Sequence, residues 1–250
     1  MILPAVLLTA ALAIVGLIVW RGRRHDRRLS VAEARGRMRL YRAILRNQLL
    51  LFALPTAIGL TLLGRWDAFP TLPIEFWTSA LRIGAFDPGA GIDKAVAVEF
   101  ALVPLIGVVL GVALALRRQR RGRRPPQSKR FGDFSVLVPL NRRDLVMAGG
   151  VSLAAGVCEE LFFRLLLPLL LAAFVGGEIA FILSLLMFGL VHIYQGWKGV
   201  VATAFVGLLL TWIYLLSGSL LVAIWVHVVI DLNGLVIRPA LRGFDKPAAD

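Results

Sequence analysis

Residues 2–20 contain no charged side chain, and the run ends in a burst of arginine. Ten arginines (Arg21, Arg23, Arg24, Arg27, Arg28, Arg35, Arg37, Arg39, Arg42 and Arg46) fall within residues 21–46. Residues 117–143 hold ten more Lys/Arg, so the two clusters account for 20 of the 28 positive charges. Apolar runs border both clusters, and about 20 such residues in a helix cross a bilayer core. This alternation constrains the fold above all else. Lipid admits only spanning structures that satisfy their own backbone, and continuous apolar runs of this length do so as helices. Composition agrees: 58% of residues are hydrophobic and 17% charged, against about a quarter charged in soluble domains. A soluble enzyme, a disordered chain and a disulfide scaffold are excluded, the last because Cys158 is the single cysteine. The net charge of +13 would suit a phosphate binder. Confined to loops between apolar runs, it is instead the pattern of cytoplasmic loops, with no nucleic-acid partner.

Seven segments qualify as spans: 2–20, 44–64, 95–116, 144–175, 179–195, 199–216 and 218–237. The expected fold is all-α, a polytopic transmembrane bundle of about seven helices around a polar intramembrane cavity. Charge follows the first run instead of preceding it, so that run reads as a retained helix and not a signal peptide. The 65–94 loop carries three positive and four negative charges, which suits the outer face. The expected protein is thus multi-pass in the cell membrane, with its N-terminus outside and its basic tail (Arg238, Arg242, Lys246) in the cytoplasm. Segment 144–175 is too long for a simple crossing. It is expected to tilt, kink near Pro168 or begin with an interfacial stretch. Residues 1–143 read as an N-terminal membrane part of three helices and two basic loops, 144–237 as a four-helix core, and 238–250 as a basic tail. Residues 123–128 read as a hinge. The basic loops are expected against anionic lipid, at about 1 kcal/mol per residue near the surface. Gly107 and Gly111 form a GxxxG, read as a small-residue contact inside the bundle.

Beyond the first turn of each, seven ionisable residues fall inside these spans: Glu99, Glu159, Glu160, Arg164, His192, His227 and Asp231. Each costs about 2.5–3.5 kcal/mol on insertion scales, so such groups face a cavity or one another. Glu99 stands apart, and structural and functional readings weigh equally there. Glu160 and Arg164 are four apart, acid first, the favourable order for an ion pair on one helix face. Glu159 points about 100° away from Glu160 and keeps no partner within its own turn. It is either an acid paired to another helix or a desolvated carboxylate suited to taking a proton from water. His227 and Asp231 also share a face, either a histidine oriented by its acid or two groups aimed at one carbonyl or metal ion. Phe188 and His192 share a face of the 179–195 helix. Cys158 has no base within its turn and reads as packing. H-E-x-x-H and G-x-S-x-G are both absent. One acid, two histidines and one further acid remain, a set able to activate water.

These residues resemble a known family. Glu159-Glu160-Leu-Phe-Phe-Arg164 matches its E-E-x-x-x-R motif, Phe188-Gly-Leu-Val-His192 its F-x-x-x-H, and His227-Val-Val-Ile-Asp231 its H-x-x-x-N/D. The family is that of the CPBP (CAAX protease and bacteriocin-processing, or Abi) intramembrane proteases, related to the type II CAAX prenyl endopeptidases. The resemblance covers roughly residues 144–237. It implies an intramembrane endopeptidase that hydrolyses a peptide bond of a membrane-associated protein or peptide, by CAAX-type processing or similar. Glu159 and His192 would activate water, His227 and Asp231 would stabilise the oxyanion, and Glu160 and Arg164 would support them. Family members often carry Asn at the position of Asp231. An ionised aspartate would repel an oxyanion, so Asp231 would have to be protonated, orient His227 or bind metal. Both metallo- and glutamate-type mechanisms have been advanced for the family, so the implied cofactor is none or Zn. Glu159, His192, His227 and Asp231 are the candidate ligands. A non-catalytic membrane scaffold or bacteriocin-immunity-type protein is the alternative. A proton-coupled transporter ranks lower, because no internal repeat is visible.

Overall fold

Lipid offers the backbone no hydrogen-bond partner, and every apolar run of this chain is helical. The computed structural model describes residues 2–24, 34–84, 94–121 and 137–241. The expected hinge at 123–128, much of both basic clusters and the tail beyond 241 lie outside the described residues. Among the described residues there is no strand. Helix α1 (Ile2–Arg24) is followed by α2 (Ala34–Gln48) and α3 (Leu54–Leu63), which run on as one rod through a π turn. Short turns and α4 (Trp77–Arg82) lead to α5 (Lys94–Arg120). Then α6 (Arg142–Glu160) continues through a second π turn into α7 (Leu167–Val175). The chain ends with α8 (Gly177–Val191), α9 (Trp197–Ser217), α10 (Leu220–Leu232) and α11 (Arg238–Leu241).

Five of the described helices are long and apolar enough to cross a membrane: Ile2–Arg23, Gly36–Leu63, Lys94–Arg118, Trp197–Ser217 and Leu220–Leu241. The protein is therefore an integral membrane protein with a polytopic helical bundle. The other two expected spans differ from expectation. The 179–195 segment yields a helix of only 15 residues, α8. The 144–175 segment becomes one rod from Arg142 to Val175 whose middle carries Glu159, Glu160 and Arg164, which lowers its hydropathy.

The short α8 has a consequence for placement. Gly176 alone joins α7 to α8, with φ at +77°, a conformation glycine adopts without strain. The two helices fold back on each other from that residue. Glu159 lies 17 residues before Gly176 and His192 lies 16 after it. At about 1.5 Å per residue the two arms match in length, and the side chains arrive at one level. The hairpin brings them together.

Three π turns interrupt the rods: Leu49–Ala53, Leu161–Leu166 and Asn233–Ile237. Each closes with an N–H bonded five residues back: Leu54 to Leu49 O, Leu167 to Phe162 O and Arg238 to Asn233 O. A proline follows each closing residue: Pro55, Pro168 and Pro239. In an α-helix a proline ring clashes with the carbonyl four residues back and has no N–H to offer it; widening the preceding turn relieves that clash. Pro104 sits inside α5 without such a turn, so proline alone does not dictate the widening. In the middle case the five-back register leaves the Phe163 carbonyl facing Pro168, which has no donor. The hydroxyl of Ser184 on α8 supplies one, at 2.5 Å. The expected kink near Pro168 is this π turn.

Packing then fixes the rods. Gly156 on α6 meets α10 so closely that a Cβ there would overlap the Val228 side chain and lie 3.0 Å from its backbone nitrogen. Arg37 and Tyr41 on α2 anchor to the carbonyls of Val138 and Leu137 ahead of α6, and Arg37 pairs with Asp144 at 3.7 Å. Cys158 is buried in the apolar cluster with Phe52, Phe162 and Phe163, as packing. Gly107 and Gly111 do not make the expected contact inside the bundle. No atom lies within 4 Å of where their Cβ atoms would stand, because α5 is peripheral.

Candidate active site

Glu159 and Glu160 end α6, about 100° apart around its axis, and each finds partners on different helices. Glu160 is fully buried and bound from two sides through one oxygen. Arg164 Nη1 lies 2.9 Å from its Oε1, as the i,i+4 spacing predicts, and His227 Nδ1 lies 2.7 Å from the same atom. The second contact joins residues 67 apart in sequence. Arg164 also donates from Nη2 to the Gly207 carbonyl at 3.2 Å, and its guanidinium lies 4.1 Å from the centre of the Phe188 ring. A side chain at Gly207 would meet Phe188 at 2.8 Å and Arg164 at 3.2 Å; glycine there lets the guanidinium reach the backbone of α9. A buried ion pair needs its partners in place; α6, α9 and α10 each contribute one, while Glu160 Oε2 makes no hydrogen bond among the described residues.

Glu159 faces a different set. Its Oε1 accepts from Gln48 Nε2 at 2.7 Å, and its Oε2 lies 3.8 Å from His192 Nε2. His192 caps α8 and its Nδ1 lies 2.7 Å from the Phe188 carbonyl. A carbonyl only accepts, so Nδ1 carries a proton and Nε2 is the ring atom turned toward Glu159. The same logic holds for His227. Its Nδ1–H donates to Glu160, and Nε2 lies 3.9 Å from Asp231 Oδ2, across one turn of α10. Both gaps exceed direct hydrogen bonding.

Phe188 shows why an aromatic residue stands four before His192. Its carbonyl orients His192, and its ring packs edge-on against His192 (4.9 Å) and His227 (6.2 Å) under the Arg164 cation. Tyr194, 6.0 Å from His192 between ring centres, accepts from Gln195 Nε2 at 3.0 Å beside the site. Glu99 is exposed on α5 and stands apart from it.

The six other ionisable residues singled out from the sequence therefore come together, in two groups. Among the described residues no three His, Cys, Asp or Glu side chains are grouped so as to hold a metal ion. The four candidate ligands lie as two imidazole–carboxylate pairs, Glu159 with His192 and Asp231 with His227. Gln48 and Ser184 escape a reading of the sequence that counts only ionisable residues; both are polar side chains in apolar runs, and that is the signal by which they could be found.

The ion pair yields a prediction. Arg164→Ala leaves Glu160 short of its cation in the dry interior, a change that typically costs about 3–5 kcal/mol. Folded yield and thermal stability of the purified protein should fall together with any activity. Full yield and an unchanged melting temperature would mean that Arg164 does not support the fold.

Comparison with protein families matches residues 141–233 to the model described as "Type II CAAX prenyl endopeptidase Rce1-like". No curated protein and no solved structure matches the chain. The matched stretch runs from the N-cap of α6 to the end of α10 and contains Glu159, Glu160, Arg164, Phe188, His192, His227 and Asp231. Over residues 141–233, the chain is similar to the Rce1-like type II CAAX prenyl endopeptidases.

Proposed function

We propose that this protein is an intramembrane endopeptidase in which Glu159 and His192 activate one water molecule. The observation that carries the reading is the 3.8 Å gap between Glu159 Oε2 and His192 Nε2. Both groups are held from behind, by Gln48 and by the Phe188 carbonyl. A water lying off the line between two such acceptors donates a hydrogen bond to each. Attack of its oxygen on a peptide carbonyl passes one proton to this pair. Collapse of the tetrahedral species breaks the C–N bond, and the proton goes to the leaving amine. His227 and Asp231 are assigned to the oxyanion. With Nδ1–H committed to Glu160, a second proton on Nε2 makes His227 a cationic donor to the oxyanion. Asp231, ionised beside that ring, then steadies the imidazolium and does not touch the oxyanion. The substrate is a membrane-associated protein or peptide of CAAX type or similar, and the mechanism is of the glutamate type.

The test is cleavage of prenylated and unprenylated CAAX-type peptides by the full chain in liposomes, with and without chelator. Wild type should cleave at a rate that chelator leaves unchanged. Glu159→Gln and His192→Ala should each reduce cleavage to a low residual rate, and the double variant should be about as slow as either alone, since losing one member removes the shared water. Multiplicative losses would recast one of the two as a substrate-binding residue. Loss of cleavage with chelator would contradict the glutamate mechanism. A wild type inactive on every peptide would favour the scaffold or immunity reading.

The orientation proposed is N-terminus outside and C-terminus cytoplasmic, with the basic stretches around residues 30 and 125 inside and against anionic lipid. It rests on the 20 positive charges of the two clusters. Reporter fusions at residues 30 and 125 should both report the cytoplasm; an outer-face signal at either overturns it.

A further inference from the structure

We propose that Gln48 is a positioning residue: by holding Glu159 Oε1 it keeps Oε2 turned toward His192. The proposal rests on the endopeptidase reading above for its catalytic meaning, but its geometry stands on its own. Gln48 is buried, as is Glu159, and the amide donates to the carboxylate at 2.7 Å. A carboxylate turns freely about its last carbon–carbon bond. A donor fixed on one oxygen removes that freedom and sets where the other oxygen points.

The contact is not a chance meeting of two long side chains, because α2 is registered on α6 at a second place. Arg37 and Tyr41, 11 and 7 residues before Gln48, are tied to Asp144, Val138 and Leu137. The spacing of 37, 41 and 48 keeps all three on one face of α2. Immediately after Gln48 the helix widens into the π turn that closes ahead of Pro55. One extra residue in that turn rotates the rod below by about 100°, so α3 turns a new face inward without moving Gln48 off α6. The amide also comes at a cost: its Oε1 is buried and makes no hydrogen bond among the described residues. A half-satisfied buried amide is destabilising, which leucine of similar size would avoid. Gln48 lies outside the stretch 141–233 that matches the family, so the N-terminal half of the chain completes the site.

The experiment compares full-length wild type, Gln48→Leu and Gln48→Asn after purification. Reaction of Glu159 with a membrane-permeant carbodiimide is followed by peptide mass spectrometry, with Glu160 as internal reference. Freed of its donor, Glu159 in Gln48→Leu should label at least about threefold faster while Glu160 is unchanged. In liposomes, kcat for peptide cleavage should fall tenfold or more with KM unchanged, since small displacements of a reacting group cost up to about 10²-fold. Gln48→Asn, which keeps the amide, should recover part of both effects. Gln48→Leu should add nothing to Glu159→Gln if it acts only through that carboxylate. Unchanged Glu159 labelling, or an equal further loss in the Glu159→Gln background, overturns the proposal. If wild type cleaves no peptide, the endopeptidase reading fails, and the labelling ratio alone decides whether Gln48 positions Glu159.

Discussion

A carboxylate in a dry helix bundle needs polar partners, and Glu160, held from two sides through Oε1 while Oε2 makes no hydrogen bond among the described residues, is the residue on which the rest of this site depends. One of its oxygens meets Arg164 from the next turn of its own helix and His227 from α10. Arg164 in turn reaches the α9 backbone at Gly207 and stacks on Phe188 of α8. A single buried charge thus ties four helices together. Two close glycine contacts serve it. Gly156 brings α6 and α10 near enough for Glu160 to reach His227, and Gly207 leaves room for the guanidinium. In lipid, where apolar packing gives little drive for helix association, small residues and polar contacts supply it.

The division of labour between the two adjacent glutamates is a matter of helix rotation. With about 100° between them, Glu160 turns into the ion cluster and Glu159 turns toward α2 and the end of α8. Fixing the first aims the second. The π turns belong to the same arrangement: they start beside Gln48 and Glu160, and two residues after Asp231. Each lets the polar residues hold one rotation while the apolar rod beyond takes another. Single-turn π widenings are found preferentially at functional sites, and here a following proline gives each of them a local physical cause.

Much of this was legible in the sequence. The apolar runs and arginine clusters specified a helical membrane bundle. The i,i+4 spacings anticipated the Glu160–Arg164 contact and the approach of His227 to Asp231. Local spacing does not carry what joins distant segments. The Glu160–His227 bond spans 67 residues, and the Gln48–Glu159 bond spans 111. Counting ionisable groups also hid Gln48 and Ser184, whose burial is as deliberate as that of the charges. The span arithmetic faltered for a related reason. Hydropathy does not reveal that α8 stops at Val191, where the next residue, His192, turns its ring back to the Phe188 carbonyl. That early end is what puts His192 level with Glu159.

The central claim is that neighbouring glutamates divide chemistry from scaffolding. Side-by-side melting and cleavage measurements on Glu159→Gln and Glu160→Gln test it most directly. Glu159→Gln should melt within a few degrees of wild type, since glutamine can keep a hydrogen bond with Gln48, and should cleave only at a low residual rate. Glu160→Gln removes the charge shared by Arg164 and His227, and should lower the melting temperature sharply along with folded yield. Equal stability of the two variants, or cleavage by Glu159→Gln near the wild-type rate, would contradict the account.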